Sequence, residues 1–295
     1  MTRMNLLELI DINKDINRDR IRIHKLTTEE KVLGIYSTKY TFLDFFEREC
    51  FQTWTLKGHY IDFKDFMQDI NINSLYAQSL ENSEALLSYY ELVLNIWHSI
   101  EKKTLANFVR SQAEEWHDVD DYRIHENFFL IKTIIEDSLS EFNYMVFYDA
   151  INDVHLVIED KPEVTATAEI VEQKTACSII RYNHHRLKGD LISKKNILLY
   201  LGKQLEPKRD DLNQINSKLS NDIFYLLNNC DLRHNNLDVV SKNYKQGLAD
   251  LAEDSQALEN LYDELYQMIL LANLELDNID RHAEVTELKN KIELK

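Results

Sequence analysis

Hydrophobic side chains recur every three or four residues along most of the chain, the spacing of one face of an α-helix. The clearest such run comprises Leu212, Ile215, Leu219, Ile223, Leu226, Leu227 and Cys230. A later run comprises Leu258, Leu261, Leu265, Met268, Ile269, Ala272 and Ile279. Two earlier runs comprise Leu86, Tyr90, Val93, Trp97 and Ile100, and Phe128, Ile131, Ile135, Leu139, Phe142 and Val146. A further helix is predicted around Leu105, Phe108, Val109 and Trp116. Helices joined by short connections pack as antiparallel bundles, so the pattern predicts an all-α protein.

The helical spacing fails over residues 151–166. Val154, Leu156 and Ile158 alternate with polar residues there, which indicates either a short strand or an extended linker. We therefore expect two helical subdomains joined by a short irregular or extended connector. The predicted division is an N-terminal subdomain over 1–150, a connector over 151–166 and a C-terminal bundle over 167–295.

The scarcity of turn residues supports the same fold class. The 295 residues include five Gly and two Pro, whereas an average chain of this length has roughly 20 Gly and about 15 Pro. Because sheets depend on turns and turns favour these residues, β-sandwiches, β-barrels and Gly-rich phosphate loops are excluded.

The formal net charge is −17, so the chain as a whole repels nucleic acid and anionic membranes. The segment from Lys174 to Arg209 is the exception, with nine basic and two acidic residues. It is either a solvated helix surface or an anion-binding face. For the second interpretation, the predicted RNA-binding residues are Lys174, Arg181, His184, His185, Arg186, Lys188, Lys194 and Lys195.

Cysteine usage and hydropathy point to a reducing cytoplasm. Cys50, Cys177 and Cys230 are far apart and form no Cys-x-x-Cys pair, which is typical of free thiols. The N-terminus lacks a signal-peptide pattern, and no apolar stretch approaches the ~20 residues that span a bilayer. We expect a cytoplasmic protein with no membrane association.

The most suggestive polar run is residues 231–238, Asp-Leu-Arg-His-Asn-Asn-Leu-Asp, between two amphipathic helical patterns. An arginine can hold a phosphate, a histidine can transfer a proton near neutral pH, and amides can position a hydroxyl. Such a set could cleave RNA without metal, with the 2′-hydroxyl as nucleophile. The candidate catalytic residues are Arg233, His234, Asn235, Asn236 and Asp238. The alternative is helix capping alone, because cations favour the last turn and Asn favours the cap.

The order of a long helix, an Arg followed by a polar residue, a polar connection and a final long helix resembles the HEPN domain (higher eukaryotes and prokaryotes nucleotide-binding). The resemblance covers at most residues 170–290. It implies a helical bundle, often a dimer, with metal-independent ribonuclease activity of the kind used in abortive-infection and toxin–antitoxin systems. In that pattern a histidine follows the arginine after four to six residues. Here His234 is adjacent to Arg233, and Asp238 lies near the later position.

Other spacings are weaker. Arg18 with His24 and Arg110 with His117 also match an Arg-to-His spacing, and the second match suggests a degenerate HEPN-like unit in the N-terminal half. Glu114 and His117 have the Glu-x-x-His spacing of carboxylate-bridged di-metal bundles, which need a second such motif. We expect neither a cofactor nor a metal.

Two functions therefore remain open. The first is a HEPN-like RNA-binding protein or endoribonuclease of bacterial phage defence, with RNA bound along 174–209. The second is a non-catalytic helical scaffold or interaction subunit of a multi-protein complex, for which 15 Tyr residues and a large acidic surface are suitable. Either function is compatible with a protein partner or a homodimer.

Overall fold

The computed structural model describes residues 16–29, 31–33, 39–112 and 119–293. The protein is mostly helical, as the hydrophobic spacing predicts. The chain divides into two compact units, Met1–Val157 and Ile158–Lys295, so the division falls inside the predicted connector.

Unit 1 contains helices, short irregular turns and two small hairpins. Its elements are α1 (Ile16–Thr28), β1 (Lys31–Leu33), β2 (Lys39–Thr41), α2 (Phe42–Phe45), α3 (Phe63–Asp69), α4 (Ile72–Gln78), α5 (Ser83–Gln112), α6 (Val119–Ser140), β3 (Tyr144–Asp149) and β4 (Val154–Glu159), whose last two residues begin unit 2. Strand β1 pairs antiparallel with β2, and β3 pairs with β4. A π-helical turn (Phe46–Cys50) and two 3₁₀ turns (Phe51–Thr53 and Thr55–Lys57) follow α2.

Two predictions about helix boundaries are wrong in unit 1. The separate helix expected around Leu105 is the continuation of α5, because no Gly or Pro interrupts the helical pattern after Ile100. Val146 lies in β3 rather than at the end of the preceding helix. Asn143, with φ of 58°, turns the chain after α6, and the β-branched and aromatic residues that follow favour a strand.

Aromatic side chains, with Phe46, Phe51 and Trp97 among them, form much of the core of unit 1. Trp97 is fully buried on α5 and its Nε1 donates to Thr27 Oγ1 of α1 at 3.0 Å. Asn95, two residues earlier on α5, accepts from His155 N and donates to His155 O and to Glu91 O. The two contacts with His155 attach β4 to α5, and all three give the buried amide its hydrogen-bond partners.

Unit 2 is a helical bundle. Its helices are α7 (Pro162–Ile170), α8 (Gln173–Tyr182), α9 (Leu191–Leu205), α10 (Arg209–Asn229), α11 (Gln246–Ala252) and α12 (Ser255–Glu293). Helix α12 packs against α7, α9, α10 and α11. Pro162 begins α7, where its missing N–H costs nothing. The 3₁₀ turns Glu206–Lys208 and His185–Leu187 connect neighbouring helices.

Gly189 and Asp190 determine where α9 begins. Gly189 has a φ of +80°, which a residue with a Cβ adopts only under strain, and Asp190 follows as the N-cap. The Asp190 carboxylate accepts from Ser193 N at 3.0 Å, so it satisfies one of the free N–H groups of the first turn.

Candidate nucleic-acid interface

A sharp bend in α10 positions the candidate site. Asn216 has φ of −145° and ψ of 80°, and its side-chain oxygen accepts from Leu219 N at 3.0 Å as an N-cap would. Its side-chain nitrogen donates to Glu275 of α12 at 3.1 Å. Asn216 therefore ends one helical segment, starts the next and fixes the bend to α12.

The bend brings Arg209 to Phe224. In a straight helix, residues 15 positions apart are separated by about 22 Å along the axis. The Arg209 guanidinium carbon nevertheless lies 4.5 Å from the centre of the Phe224 ring. This contact is a cation–π interaction, and the ring is almost completely buried.

Arg233, from the loop after α10, approaches the same ring. Its guanidinium carbon lies 5.7 Å from the Phe224 ring centre. Its Nη1 is 3.3 Å from Glu206 Oε1 and 3.5 Å from Asn228 Oδ1. The structure thus places the last residue of the basic segment beside the arginine of the polar run, and Lys208 is exposed next to Arg209. We call Arg209, Phe224 and Arg233 the arginine cluster.

The loop from Asp231 to Lys245 is built around Asn236. The Asn236 side chain, 1% exposed, accepts from Asp231 N at 3.0 Å and donates to the carbonyl oxygen of Asn243 at 2.8 Å. The backbone oxygen of Asn236 accepts from Lys245 N at 2.9 Å. Asn236 thus holds both ends of the loop and lies too deep to contact a ligand.

Asp231 contributes to the same loop. It has a φ of 56°, and its carboxylate accepts from Leu237 N and from the Lys195 ammonium at 2.7 Å. Lys195, predicted to bind RNA, is therefore half-buried and paired with this loop.

The remaining candidate catalytic residues lie at the loop surface. His234 and Asn235 are exposed, and the Asp238 carboxylate accepts from Val240 N at 3.1 Å within a turn. Val239 and Val240 are 75% and 90% exposed. Among the five candidates the structure therefore exposes His234, Asn235 and Asp238 and leaves Arg233 half-buried, in a loop that its own hydrogen bonds hold in shape.

Lys194 is buried in a polar network between α8, α9 and α12. Its ammonium lies 2.7 Å from Glu259 and 2.6 Å from Asp263, and the Gly189 N–H donates to Glu259 at 2.8 Å. Burial works to raise the pKa of Glu259, but the Gly189 N–H and the Lys194 ammonium outweigh it and hold that pKa below its ordinary value. Because its charge is compensated inside the bundle, Lys194 is not accessible to a polyanion, contrary to the sequence prediction.

Two tyrosines complete this network. The rings of Tyr182 and Tyr266 stack with centres 4.0 Å apart. The Tyr182 hydroxyl donates to Asp263, and the Tyr266 hydroxyl donates to the carbonyl oxygen of Ile179 and accepts from Asn183. Burial, followed by the Asp263 carboxylate, raises the pKa of Tyr182, so both hydroxyls stay protonated.

The other residues of the basic segment differ in exposure. Lys174, Arg186 and Lys188 are exposed, Arg181 and His184 are half-buried, and His185 is buried. Exposure therefore divides the eight predicted RNA-binding residues. The three exposed cations can contact a polyanion, whereas Lys194 and His185 are inside the fold.

A second polar cluster, which the sequence pattern did not indicate, lies in unit 1. Asp153 accepts from His98 Nε2 at 3.0 Å, from the Tyr148 hydroxyl at 2.7 Å and from the Lys102 ammonium. Burial opposes ionisation of Asp153, but these three donors outweigh it and lower its pKa. His155 lies at van der Waals range, with its ring centre 4.9 Å from that of His98, and burial followed by His98 lowers its pKa to about 4.

Two sequence hypotheses cannot be placed in the fold. Glu114 and His117 lie outside the described residues, and so does the histidine end of the Arg110–His117 spacing.

The Arg18–His24 spacing, in contrast, lies within α1. His24 stacks on Tyr76 and its Nδ1 is 3.1 Å from the Tyr89 hydroxyl, as expected of a side chain that packs in a core.

The thiols that are buried behave as core residues. Burial raises the pKa of Cys50 to about 12 and that of Cys230 to about 11. Neither thiol is therefore activated as a nucleophile near neutral pH.

Sequence reasoning missed Arg209 and Phe224 as site residues. Arg209 is the last residue of the basic segment, and the segment's composition alone gave it no priority over its neighbours. The sequence feature that could have indicated the position of Arg209 is Asn216. This residue type favours helix caps, and here it lies in the middle of an apolar helical run, where a bend places Arg209 at Phe224.

No protein-family model, curated protein or solved structure matches the chain. Within the described residues, none of the helices combines the length and the apolar character needed to cross a bilayer. The arginine cluster and its loop are therefore interpreted from their chemistry.

Proposed function

We propose that the protein binds RNA through the arginine cluster and the adjoining loop, as a HEPN-like protein of a bacterial phage-defence system acting in the cytoplasm. The observation that carries the proposal is the approach of Arg209 and Arg233 to one Phe224 ring. A guanidinium is planar, permanently charged and matched to phosphate oxygens, so two of them at one aromatic ring favour a phosphodiester chain. Exposed His234 and Asn235 lie next to Arg233 in sequence and can contact a base or a ribose hydroxyl.

The pairing of Arg233 with Glu206 is compatible with this role. The Glu206 side chain is 54% exposed, and such ion pairs contribute only about 0–1 kcal/mol. A phosphate can therefore replace Glu206 at small cost. The net charge of −17 on the chain disfavours RNA binding outside such a basic site.

The arrangement supports binding more directly than cleavage. Asn236 is occupied inside the loop and the Asp238 carboxylate is used in a turn. Metal-independent cleavage would then depend on Arg233 to stabilise the charged transition state and on His234 for proton transfer.

Fluorescence anisotropy with a labelled single-stranded RNA tests the proposal. We expect Arg209→Ala and Arg233→Ala each to weaken binding and to lower the salt dependence by about 0.7 per lost phosphate contact. Glu206→Gln should strengthen binding because it releases Arg233. Arg48→Ala, which removes the same charge from an exposed position in unit 1, is the matched control.

Equal affinity of the wild type and both arginine variants would contradict the proposal, as would an absence of RNA binding by the wild type. RNA integrity in the same samples, with EDTA present, separates binding from cleavage. Cleavage that is lost in Arg233→Ala and His234→Ala would establish a ribonuclease; intact RNA would leave a binding protein.

The second candidate is the non-catalytic interaction subunit. It is favoured by the two exposed valines, Val239 and Val240, at the tip of a loop that is held in shape. A pocket of about 350 Å³ lies beside the base of this loop, with Tyr225, Leu248 and Leu251 among its lining residues. Rigid loops with exposed apolar tips are suited to protein contacts.

Co-purification with tagged protein distinguishes the two candidates. A stoichiometric protein partner that is lost in Val239→Asp/Val240→Asp, together with unchanged RNA affinity, would favour the interaction subunit. Retention of the partner by this variant would remove the loop tip as its binding surface.

A further inference from the structure

The C-terminal part of α12 carries an apolar seam on its exposed surface. Leu271, Val285, Leu288 and Ile292 are 46%, 45%, 56% and 74% exposed. The complete seam is Leu271, Leu274, Asn278, Arg281, Val285, Leu288 and Ile292. Its spacing alternates between three and four residues without a break, which is the heptad repeat of a coiled coil rather than the wider stripe of a helix packed on a globular core.

The residue types at the two seam positions are those of a parallel two-stranded coiled coil. In the heptad notation, position a is occupied by Leu271, Asn278, Val285 and Ile292, and position d by Leu274, Arg281 and Leu288. β-Branched residues at a with Leu at d favour two strands, and a single Asn at a specifies register and strand number. Arg281 at d is the unfavourable member, and it forms an ion pair with Asp277 of its own helix.

The charges that flank the seam complement a second copy of the same helix. In a parallel dimer, position g of one helix faces position e of the next heptad on the other helix. This pairing places Glu284 opposite Lys289 of the second copy, and Asp277 opposite the His282 ring of the second copy. Glu284 and Lys289 have opposite charges and are exposed in the single chain, so they are available for this contact.

We propose that the C-terminal segment of α12, from Asn278 to Ile292, forms a parallel two-stranded coiled coil with a second copy of this chain. The interface contains about two full heptads, so the association is weak and depends on protein concentration. The proposal does not depend on RNA binding.

Sedimentation of the full-length protein over about 1–200 μM tests the association, since self-association is governed by mass action. We expect a monomer–dimer equilibrium. Leu288→Glu should raise the dissociation constant of the dimer at least about tenfold. Thr286→Glu adds the same charge at a neighbouring exposed position off the seam and should leave the equilibrium unchanged. A wild type that stays monomeric over the whole range would overturn the proposal, as would equal dimerisation of Leu288→Glu.

Cross-linking tests the parallel register. Asn278→Cys places two thiols opposite each other in a parallel dimer, so mild oxidation should give a covalent dimer. Asn290→Cys lies on the outer face of the same segment and serves as the control. Cross-linking of both variants to the same extent, or of neither, would contradict a parallel coil. If the protein is monomeric and its seam binds a different helical protein, that protein is the partner of the seam and a second copy of this chain is not.

Discussion

The ammonium of Lys194 lies 2.7 Å from the Glu259 carboxylate, and both side chains are buried in the bundle of unit 2. Asp263, Tyr182 and the Gly189 N–H complete the contacts. The pair therefore connects the start of α9 to the N-terminal part of α12, and its components are mutually dependent.

Removal of one charge from this pair should destabilise the protein strongly. Lys194→Met leaves Glu259 buried without its cation, for which we expect a loss of about 3 kcal/mol or more in the free energy of unfolding. Lys194→Met/Glu259→Gln removes both charges and should recover much of that loss. Urea denaturation of the three proteins checks this. Equal stability of the single and double variants would show that the two charges are not coupled.

The Lys194–Glu259 pair should make the stability of the protein decrease at acidic pH. The pKa of Glu259 is lower in the folded protein than in the unfolded chain, whose carboxyl has an ordinary pKa of about 4.3. Its contribution to stability is thus present above about pH 4 and is lost as the pH falls through the lower folded pKa. In Glu259→Gln the stability should decrease less steeply below pH 4. Denaturation at several pH values measures this slope, and parallel curves for the two proteins would contradict the expectation.

His155 predicts a second pH dependence at higher pH. Its pKa falls from 6.5 in the unfolded chain to about 4 in the folded protein, because the ring is buried and lies beside His98. The unfolded chain binds a proton that the folded protein excludes, so stability falls as the pH drops from 6.5 towards 4, by at most about 1.4 kcal/mol per pH unit. His155→Phe should flatten the profile in this window. An NMR titration that places His155 near pH 6.5 would refute it.

Substitution by Ala should have opposite effects on the stability of the protein at Gly202 and at Gly247. A Cβ on Gly202 in α9 would lie 2.7 Å from a Leu227 methyl carbon in the core. We expect Gly202→Ala to destabilise the protein by about 1–3 kcal/mol, although Ala favours a helix. Gly247→Ala is the matched control, since nothing lies within 4 Å of a Cβ there and helix propensity alone should stabilise by up to about 1 kcal/mol. If thermal unfolding shifts both variants in the same direction, the close contact with Leu227 is not decisive.

Loss of the Asn236 side chain should loosen the loop that forms part of the candidate interface. Asn236→Ala leaves Asp231 N and the carbonyl oxygen of Asn243 without their partners, at a cost of about 1–3 kcal/mol per group. Amide hydrogen exchange of Asp231 should accelerate and RNA binding should weaken, although Asn236 itself is 1% exposed. Asn235→Ala, at the exposed neighbour, should leave the exchange of Asp231 unchanged. Unaltered exchange in Asn236→Ala would show that other contacts hold the loop.

The sequence by itself determined the fold class and many of the helix boundaries. Hydrophobic spacing depends on which face of a helix is buried, and Asp190 caps the first turn of α9 with its own side chain, so these signals are local. The scarcity of Gly and Pro is also a local signal, because turns depend on these residues, and it excluded the sheet architectures. Hydrophobic spacing alone did not show that α5 continues through Leu105 or that Val146 lies in a strand. The local signals were the absence of Gly and Pro after Ile100 and the strand-favouring residues after Asn143.

Only the tertiary structure decided which polar residues meet. Lys194 and Arg186 have the same character in the sequence, yet one is buried against α12 and the other is exposed. Arg209 and Arg233 are far apart in the chain and converge because Asn216 bends α10 and Asn236 holds the following loop. Burial and pairing are properties of contacts between distant segments, and no periodicity within one segment encodes them.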